Sequence, residues 1–586
     1  MKKNYIGLAT TLHDSALAIV NDDGELVFAE ATERYMQNKR AMNISPDVFL
    51  RISQIVNQYC DPEADFVVAH TWSENTEHVM KHSKAGLDDT IEAEKQIQEL
   101  FGEVPFSMKR YFASNKFILY SQINSIQQAA KTLEYELAIS ERWSKRGYTV
   151  KRYEHHLTHA AAACYTSSFK EAACVVLDGF GETGAYSCYS YKDGTIKEVE
   201  GMKNKGIGSL GVYYNFVCDI CGFESLTGEE WKVMGLAAYG KFDEEIYGIF
   251  KKIITINGLH IEMCGPSKLL QIMQKVYSRR RKKGDPLIDY ADIAYTGQYL
   301  YNELLFEYLN NVYKLGISDN LVLSGGCGLN SSANGKIIEN TPFKSVHIYC
   351  APGDDGNAVG AALVAYYEDH PDKKPQGILQ HPYLGSSISE HSLANFMKFS
   401  GLKSIETHPD NICQKAAQLI ADGKIIGWIQ GRAEFGPRAL GNRSILADAR
   451  NPKIKDEINS RVKFREEFRP LAPSILSEFG TDYFENYQDS PYMERTLYYK
   501  KEMIRKVPGV VHEDGTGRLQ SVKKNWNERY YNLIWEFYQI TGVPLVLNTS
   551  FNVMGKPIVH SLEDAVAVFF TCGLDALVIG DILVLK

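Results

Sequence analysis

The sequence predicts an α/β protein of two domains, the first built on a duplicated strand–turn–strand unit. Three observations carry this. A chain of 586 residues is too long for one hydrophobic core. The pattern "YIGLATTL", "SALAIV", the turn "NDDG" and "ELVFAEATERY" recurs as "ACVVLDGFGETGAYSCYSY", the turn "KDG" and "TIKEVE". Each copy places an aspartate, Asp14 or Asp178, near the end of its first strand. Around "HPDKKPQGILQHPYLGSS" apolar periodicity lapses while prolines and charges gather. Beyond it "ICQKAAQLIADGKIIGWIQGRAEFGPRAL" starts a new helix–strand–loop run.

The elements follow in order. Residues 60–152 read as helix-rich, polar and aromatic, and 267–315 as helical again. "LVLSGGCGLNSSANGKI" reads as a buried strand, a glycine loop and a helix. "VHIYCAPGDDGNAVGAALVAYYED" repeats that arrangement. The expected division is a first domain over 1–367, with helical insertions at about 60–152 and 240–315. A linker over 368–384 and a second domain over 385–586 follow.

Composition is that of an ordinary globular chain, 44% hydrophobic and 23% charged. A net charge of −8 argues against nucleic acid as a partner. The best apolar stretch, "AVAVFFTCGLDALVIGDILVLK", is interrupted by Asp575 and Asp581, so no membrane span is expected. The N-terminus reads as a strand, not a signal peptide. Among 11 cysteines only Cys218 and Cys221 form a CxxC, which points to reduced core thiols in a cytoplasmic protein.

Chemistry concentrates in a few stretches. "YEHHLTHAAAA" holds three of the chain's 15 histidines. His155 and His159 are four apart and share one face of a helix, the spacing of two ligands on one metal, whereas His156 points elsewhere. The glycine-framed acids Asp178 of "LDGFGE" and Asp354 or Asp355 of "PGDDG" follow expected strands and supply candidate oxygen ligands. Imidazole plus carboxylate with an open position suits iron(II), manganese or zinc. "SGGCGLN", with Gly325, Gly326 and Asn330, is a glycine turn whose amides could approach phosphate. "GRAEFGPRALGNRSILADAR" and "VKFREEFRPLAPSI" set Arg432, Arg438, Arg443, Lys463, Arg465 and Arg469 beside glycine, proline and aromatics. Cations on so fixed a backbone read as an anion site. The contiguous run "SRRRKKGD" reads as a solvated helix end.

In "HDSALAIV", "HHLTHAAAA", "LDGFGE", "GEEWKVMGLAAYG", "LSGGCGLNS", "PGDDGNAVGAA", "FGPRALGNRSILADAR", "KFREEFRPLAPSI" and "LNTSFN" the chain resembles the ATP-dependent O-carbamoyltransferases of antibiotic and nodulation-factor biosynthesis. The resemblance implies an actin/Hsp70/sugar-kinase-like N-terminal domain that holds a metal and a YrdC-like C-terminal domain. It implies that carbamoyl phosphate and ATP, as Mg-ATP, give carbamoyl adenylate in the second domain. The carbamoyl group then passes to a substrate hydroxyl in the first. His155, His159, Asp178 and Asp354 fit the family's metal ligands, for iron(II) or another divalent transition metal. Arg438, Lys463 and Arg469 fit residues around the carbamoyl and phosphate groups, with Arg443, Ser444 and Asn548 near them. His13 and Asp14 fall where the family keeps polar residues at the transfer site, and Lys232 where a nucleotide phosphate could be touched.

Related enzymes differ in the sequence. The hydrogenase-maturation carbamoyltransferase carries paired CxxC modules that are missing here. A tRNA-threonylcarbamoylating enzyme would share the fold but suits an acidic chain poorly. A non-catalytic nucleotide-binding scaffold would need neither HxxxH nor the arginine-rich stretch. The tyrosines and acids of "ERW", "YEHH" and "DYADIAY" suit a cationic hydroxylated acceptor, such as an aminoglycoside, a nucleoside or a saxitoxin-type guanidinium alkaloid. Tyrosine-rich surfaces also suit a homodimer.

Overall fold

The computed structural model describes residues 2–73, 106–182, 184–201, 208–402 and 404–586, with short helical pieces between 85 and 102. Three sheets organise them. The first runs in the order β3-β2-β1-β4-β5, from β1 (Lys3–Ala9), β2 (Ala16–Val20), β3 (Leu26–Ala31), β4 (Asp65–His70) and β5 (Tyr148–Arg152). β1 pairs antiparallel with β2 and parallel with β4. The second sheet is formed by β6 (Glu171–Leu177), β7 (Tyr186–Lys192), β8 (Thr195–Glu198), β11 (Asn320–Ser324) and β12 (Ser345–His347). Its order, β12-β11-β6-β7-β8, is the same topology once more: three antiparallel strands, then two parallel. The duplicated α/β core expected from the two Asp-bearing units is what forms, with the actin/Hsp70-type strand order.

Two helices lie between these sheets, and their small residues explain how closely. The helix His155–Tyr165 follows β5 and packs on the second sheet. The helix Asn357–Asp369 follows β12 and packs on the first. Each thus crosses to the sheet it does not follow. The alanines Ala160–Ala163 are fully buried where the helices meet. A Cβ on Gly360 would stand 1.9 Å from the Thr158 carbonyl oxygen, and one on Gly7 of β1 1.8 Å from that of Ala358. Only glycine lets the backbones approach so closely.

The hairpin β9 (Ile254–Asn257) and β10 (His260–Met263) turns at Gly258, φ +60°, inside the region read as a helical insertion. The alternating "ITIN" and "HIEM" flank a positive-φ glycine, a strand signal overridden by the helical composition around it. Helices do follow at Pro266–Tyr277 and Ala291–Tyr313. The other insertion, read as helical over 60–152, holds two strands of the first sheet, β4 and β5, near its ends. Short apolar and β-branched runs there are masked by the polar, helical stretch between them, where helices span Phe106–Gln128 and Lys131–Ile139. Residues 74–84 of it lie outside the described residues. After "SGGCGLN" the helix is a single turn, Ser331–Asn334. Among the described residues no helix is long and apolar enough to cross a membrane. All 11 cysteines are free, and Cys218 and Cys221 are both buried.

The third sheet has nine strands: β13 (Ile405–Thr407), β14 (Ile426–Ile429), β15 (Arg443–Ala447), β16 (Ala472–Leu476), β17 (Arg495–Tyr498), β18 (Thr516–Val522), β19 (Leu545–Ser550), β20 (Ala576–Ile579) and β21 (Ile582–Leu585). Their order is β13-β21-β20-β14-β15-β19-β16-β18-β17, and helices Ile412–Ala421, Glu528–Thr541 and Leu562–Thr571 share its apolar core. The irregular backbone between Asp369 and Glu390 leads into this unit and is held in place. Leu384 carbonyl accepts from Ala29 N–H of β3 (3.1 Å), and the Ser386 amide donates to Glu30 (3.0 Å). A core cluster joins Tyr349, Ala351 and Ala358 to Phe435, Leu440, Ala472 and Met493. A Cβ on Gly436 would meet the Cys350 carbonyl oxygen at 2.2 Å. The "FGPR" loop is therefore seated directly on the loop that leads to Asp354.

Candidate active site

A cavity of about 520 Å³ lies between the duplicated core and the nine-stranded sheet. Its lining runs from His13, Asp14, Asp178 and Asp354 to Arg438, Lys463, Arg465, Arg469, Arg518 and Asn548.

At one end, His155 and His159 project from the first turns of their helix, whose N-terminus is fixed by Glu154 accepting from Leu157 N–H (2.8 Å). Asp178 leaves the end of β6, and Asp354 opens the turn before Asn357–Asp369. Ligand atoms of His155, His159, Asp178 and Asp354 all fall within 4.8 Å of one another. The imidazole Nε2 atoms stand 3.5 and 3.8 Å from Asp178 Oδ2, and 3.7 and 3.4 Å from Asp354 Oδ1. Both Nε2 atoms are buried and lack a hydrogen-bond partner. These separations are long for hydrogen bonds. They approach the roughly 3.0–3.4 Å between neighbouring ligand atoms around a metal with ~2.1 Å bonds. Burial works against charge on His155, yet the two carboxylates push it up to about 9, so the pocket is set to hold positive charge. Two imidazoles and two carboxylates on fixed backbone fit a divalent transition metal. Asp355 is not in this cluster; its Oδ1 accepts from Gly356 N–H (3.1 Å), and its carboxyl lines the cavity. His156 turns away to Ser187 (2.8 Å) and packs on Gly181.

Beside the cluster, His13 Nδ1 is 2.9 Å from Asp14 Oδ2 and 3.8 Å from Asp354 Oδ2. Arg40 binds the same Asp14 oxygen through two nitrogens (3.0 and 3.2 Å). Burial raises the Asp14 carboxyl, but Arg40 and His13 hold it below the usual carboxylate range. Glu33, Lys39, Glu230 and Trp231 line the same end.

The other end is cationic. Lys463 closes a π-helical turn, Ile458–Lys463, and donates to the Ser550 carbonyl, to Ser550 Oγ (3.1 Å) and to Asn552 Oδ1 (2.6 Å). Burial, then Arg465 and Arg469, push its ammonium well below the usual lysine value. Arg465 is held by Asn459 Oδ1 (2.7 Å) and Arg469 by Glu466 (3.1 Å). Burial depresses Arg438 to about 10. Asn548 donates to Ala439, Ser474 and Gln520, leaving its Oδ1 buried without a partner.

Seven of the candidate residues are not among those lining the cavity: His155 and His159, which stand behind Asp178 and Asp354, and Arg432, Arg443, Ser444, Lys232 and Gly325. Arg443, fully buried, donates to the carbonyls of Ser386, Gln430, Gly431 and Asn442 and so ties loops together. Ser444 accepts from Gly441 N–H (3.0 Å). Lys232 is locked between Glu229 (2.6 Å) and Glu466 (2.9 Å). Gly325, φ +88°, turns against the Leu177 carbonyl. Of its neighbours, Gly326 N–H donates to Asp178 Oδ1 (3.0 Å), orienting that carboxylate, and Asn330 pairs with Gln298 (3.2 Å).

Five cavity cations escape sequence reasoning: Lys39, Arg40, Lys455, Arg518 and Lys556. Arg40 is a lone arginine at a positive φ, 63°. Arg518 stands singly in β18, with its Nε buried and unpartnered, and burial together with Arg438 and Arg465 depresses it well below the usual arginine value. An arginine within a mostly buried strand is the signal Arg518 offered, whereas Arg40 sits in the short turn Lys39–Ala41 and offered none.

Residues 4–363 match the family model for the carbamoyltransferase N-terminus, and residues 417–586 that for the carbamoyltransferase C-terminus. An uncharacterized protein of Methanocaldococcus jannaschii is 32% identical, over 99% of each chain. Nodulation protein NolNO of Sinorhizobium fredii is 35% identical over 74% of this chain and 63% of its own, and nodulation protein U of that organism 27% identical over 93% of each. The solved structure of full-length HypF in its phosphate- and nucleotide-bound form is 12% identical, covers 62% of this chain and 55% of its own, and has a TM-score of 0.35. With a metal-fit cluster and an anion-fit cluster facing one cavity, and with both family models matched, the chain belongs to the carbamoyltransferase family and is a carbamoyltransferase enzyme.

Proposed function

We propose that this enzyme is an ATP-dependent O-carbamoyltransferase of two steps, activation at the cationic end of the cavity and transfer at the metal-ligand end. The observation that carries the reading is the continuity of the cavity between ends of opposite chemistry.

In the first step carbamoyl phosphate is hydrolysed to carbamate and phosphate. A carbamate oxygen then attacks the α-phosphorus of ATP, and pyrophosphate leaves. Lys463, Arg438, Arg465, Arg469 and Arg518 face this charge with few acids among them, so phosphoryl oxygens relieve their mutual repulsion. The amide oxygen of Asn548 is buried and unpartnered beside the cavity, which supports a role in accepting from the carbamoyl amino group.

In the second step the acceptor oxygen attacks the carbamoyl carbon, the bond to the AMP oxygen breaks, and AMP departs. His155, His159, Asp178 and Asp354 would hold the metal. When bound, it supplies positive charge for the adenylate phosphate or the carbamoyl oxygen. His13 or Asp14, which face each other at 2.9 Å, takes the hydroxyl proton, with Asp14 kept ionised by Arg40. Glu33, which accepts from Arg40 N–H (2.8 Å), and Glu230 line this end and suit an acceptor that is cationic as well as hydroxylated. An acylating intermediate kept inside one cavity is shielded from bulk water.

The test is pyrophosphate release from the purified enzyme with ATP and carbamoyl phosphate, without acceptor. Release that depends on carbamoyl phosphate is expected. No release, with or without a panel of hydroxylated cations, would overturn the reading.

A further inference from the structure

The segment that carries Arg469 is not supported by its own sheet alone. It rests on the helix Trp231–Ala237, which belongs to the duplicated core. Three contacts define the seat. The Arg469 guanidinium lies over the Trp231 ring, 4.0 Å from its centroid. Lys232 Nζ donates to Glu466 Oε1 (2.9 Å), and the other oxygen of Glu466 is 3.1 Å from Arg469 Nη1. Gly235 lets the loop settle, since a Cβ there would stand 3.3 Å from Pro470 Cδ and 3.5 Å from the Phe468 ring. The helix is itself braced against Ala291–Tyr313.

A guanidinium stacked by its face keeps its edge donors in one plane. Here Arg469 lines the cavity, with Nη1 held at 3.1 Å from Glu466 and the buried Nε left without a partner. We infer that Trp231 and the Lys232–Glu466 pair are positioning residues for Arg469, so that the core helix sets the geometry of the anion site in the other half of the chain. This rests on Arg469 serving as an anion ligand, as in the reading above. It gives Lys232 a role as a strut rather than a phosphate contact.

The test uses full-length enzyme with inorganic pyrophosphate as the probe. Binding is measured by calorimetry for wild type, Arg469→Ala, Trp231→Leu, Trp231→Phe, Glu466→Gln and the double variant Trp231→Leu/Arg469→Ala. Trp231→Leu is expected to weaken binding about tenfold, and Trp231→Phe, which keeps a ring under the guanidinium, to restore most of it. Glu466→Gln should weaken it severalfold. The double variant should bind no more weakly than Arg469→Ala, because both changes act through one side chain. Additive losses in the double variant, or wild-type affinity in Trp231→Leu, would overturn the inference. Wild-type affinity in Arg469→Ala would overturn both the inference and the anion-site reading. In the pyrophosphate-release assay, Trp231→Leu should raise the KM for carbamoyl phosphate more than it lowers kcat. A wild type that binds pyrophosphate yet releases none from ATP would overturn the two-step reading and leave the positioning role standing.

Discussion

The two ends of the cavity handle charge in opposite ways. At the His155/Asp178 end the ligand groups have counterparts: two imidazoles face two carboxylates, and Asp14 faces Arg40 and His13, while burial and the neighbouring acids push the Asp355 carboxyl up to about 8. At the Lys463 end the cations face one another, and Glu466 is turned away to bind Lys232 as well as Arg469. The first end is ordered by its own residues and gains from a cation. The second is frustrated by its own residues and gains from an anion. Their difference teaches that the two ends should respond separately to substitution, although they share one volume.

Breaking the ligand cluster gives the largest expected effect. His159→Ala should lose transfer altogether and weaken metal affinity more than about 100-fold, since even outer-sphere partners are worth 10–100-fold. Pyrophosphate release should stay near wild type; metal analysis and the release assay check the two halves of that statement. Lys463→Ala should cut pyrophosphate release by roughly 10²–10³-fold, the scale of one preorganised donor, while metal content is unchanged. Arg518→Ala should reduce release by roughly 10–100-fold through one lost charge-assisted contact. A smaller effect comes from pH. Because Lys463 is depressed below 10.5, the free protein sheds that proton earlier than an ordinary lysine would, and a bound anion restores it. Sulfate, whose charge is constant there, should therefore bind more weakly as pH rises from neutrality towards 10, with proton uptake visible by calorimetry in two buffers. Lys463→Met should flatten that slope. Least of all, Lys283→Ala in the exposed "SRRRKKGD" run should change stability by less than about 0.5 kcal/mol and leave release unaltered, by thermal denaturation and assay.

What the sequence made legible follows from locality. His155 and His159 share one helix, so spacing alone places them together. The glycines around Asp178 and Asp354 mark loops at strand ends, where such a sheet presents ligands. Strand alternation and recurrent turns exposed the duplication. Charge was visible, but hydrogen-bond partners were not: Arg443 and Arg438 look alike in one arginine-rich run, yet one gathers carbonyls and the other faces the cavity. Arg518 has no motif around it, and the Trp231–Arg469 stack joins residues far apart in the chain, beyond the reach of any periodicity. Lys232 reads as a cation that could touch nucleotide phosphate, but its two acid partners, Glu229 and Glu466, come from two halves of the chain, and it is not among the residues lining the cavity.

The crossed helices bear on how the chain becomes a protein. The first sheet is complete in sequence by Arg152, but the helix that covers β1 and β2 ends at Asp369. During synthesis that sheet must wait, one face uncovered, while more than a third of the chain is made. Contacts of such sequence separation make folding slow, and an uncovered apolar sheet is prone to aggregate. Chaperone demand and sensitivity to translation rate should therefore centre on the interval between β5 and Asn357, and pausing within it should lower the soluble yield more than pausing after Asp369.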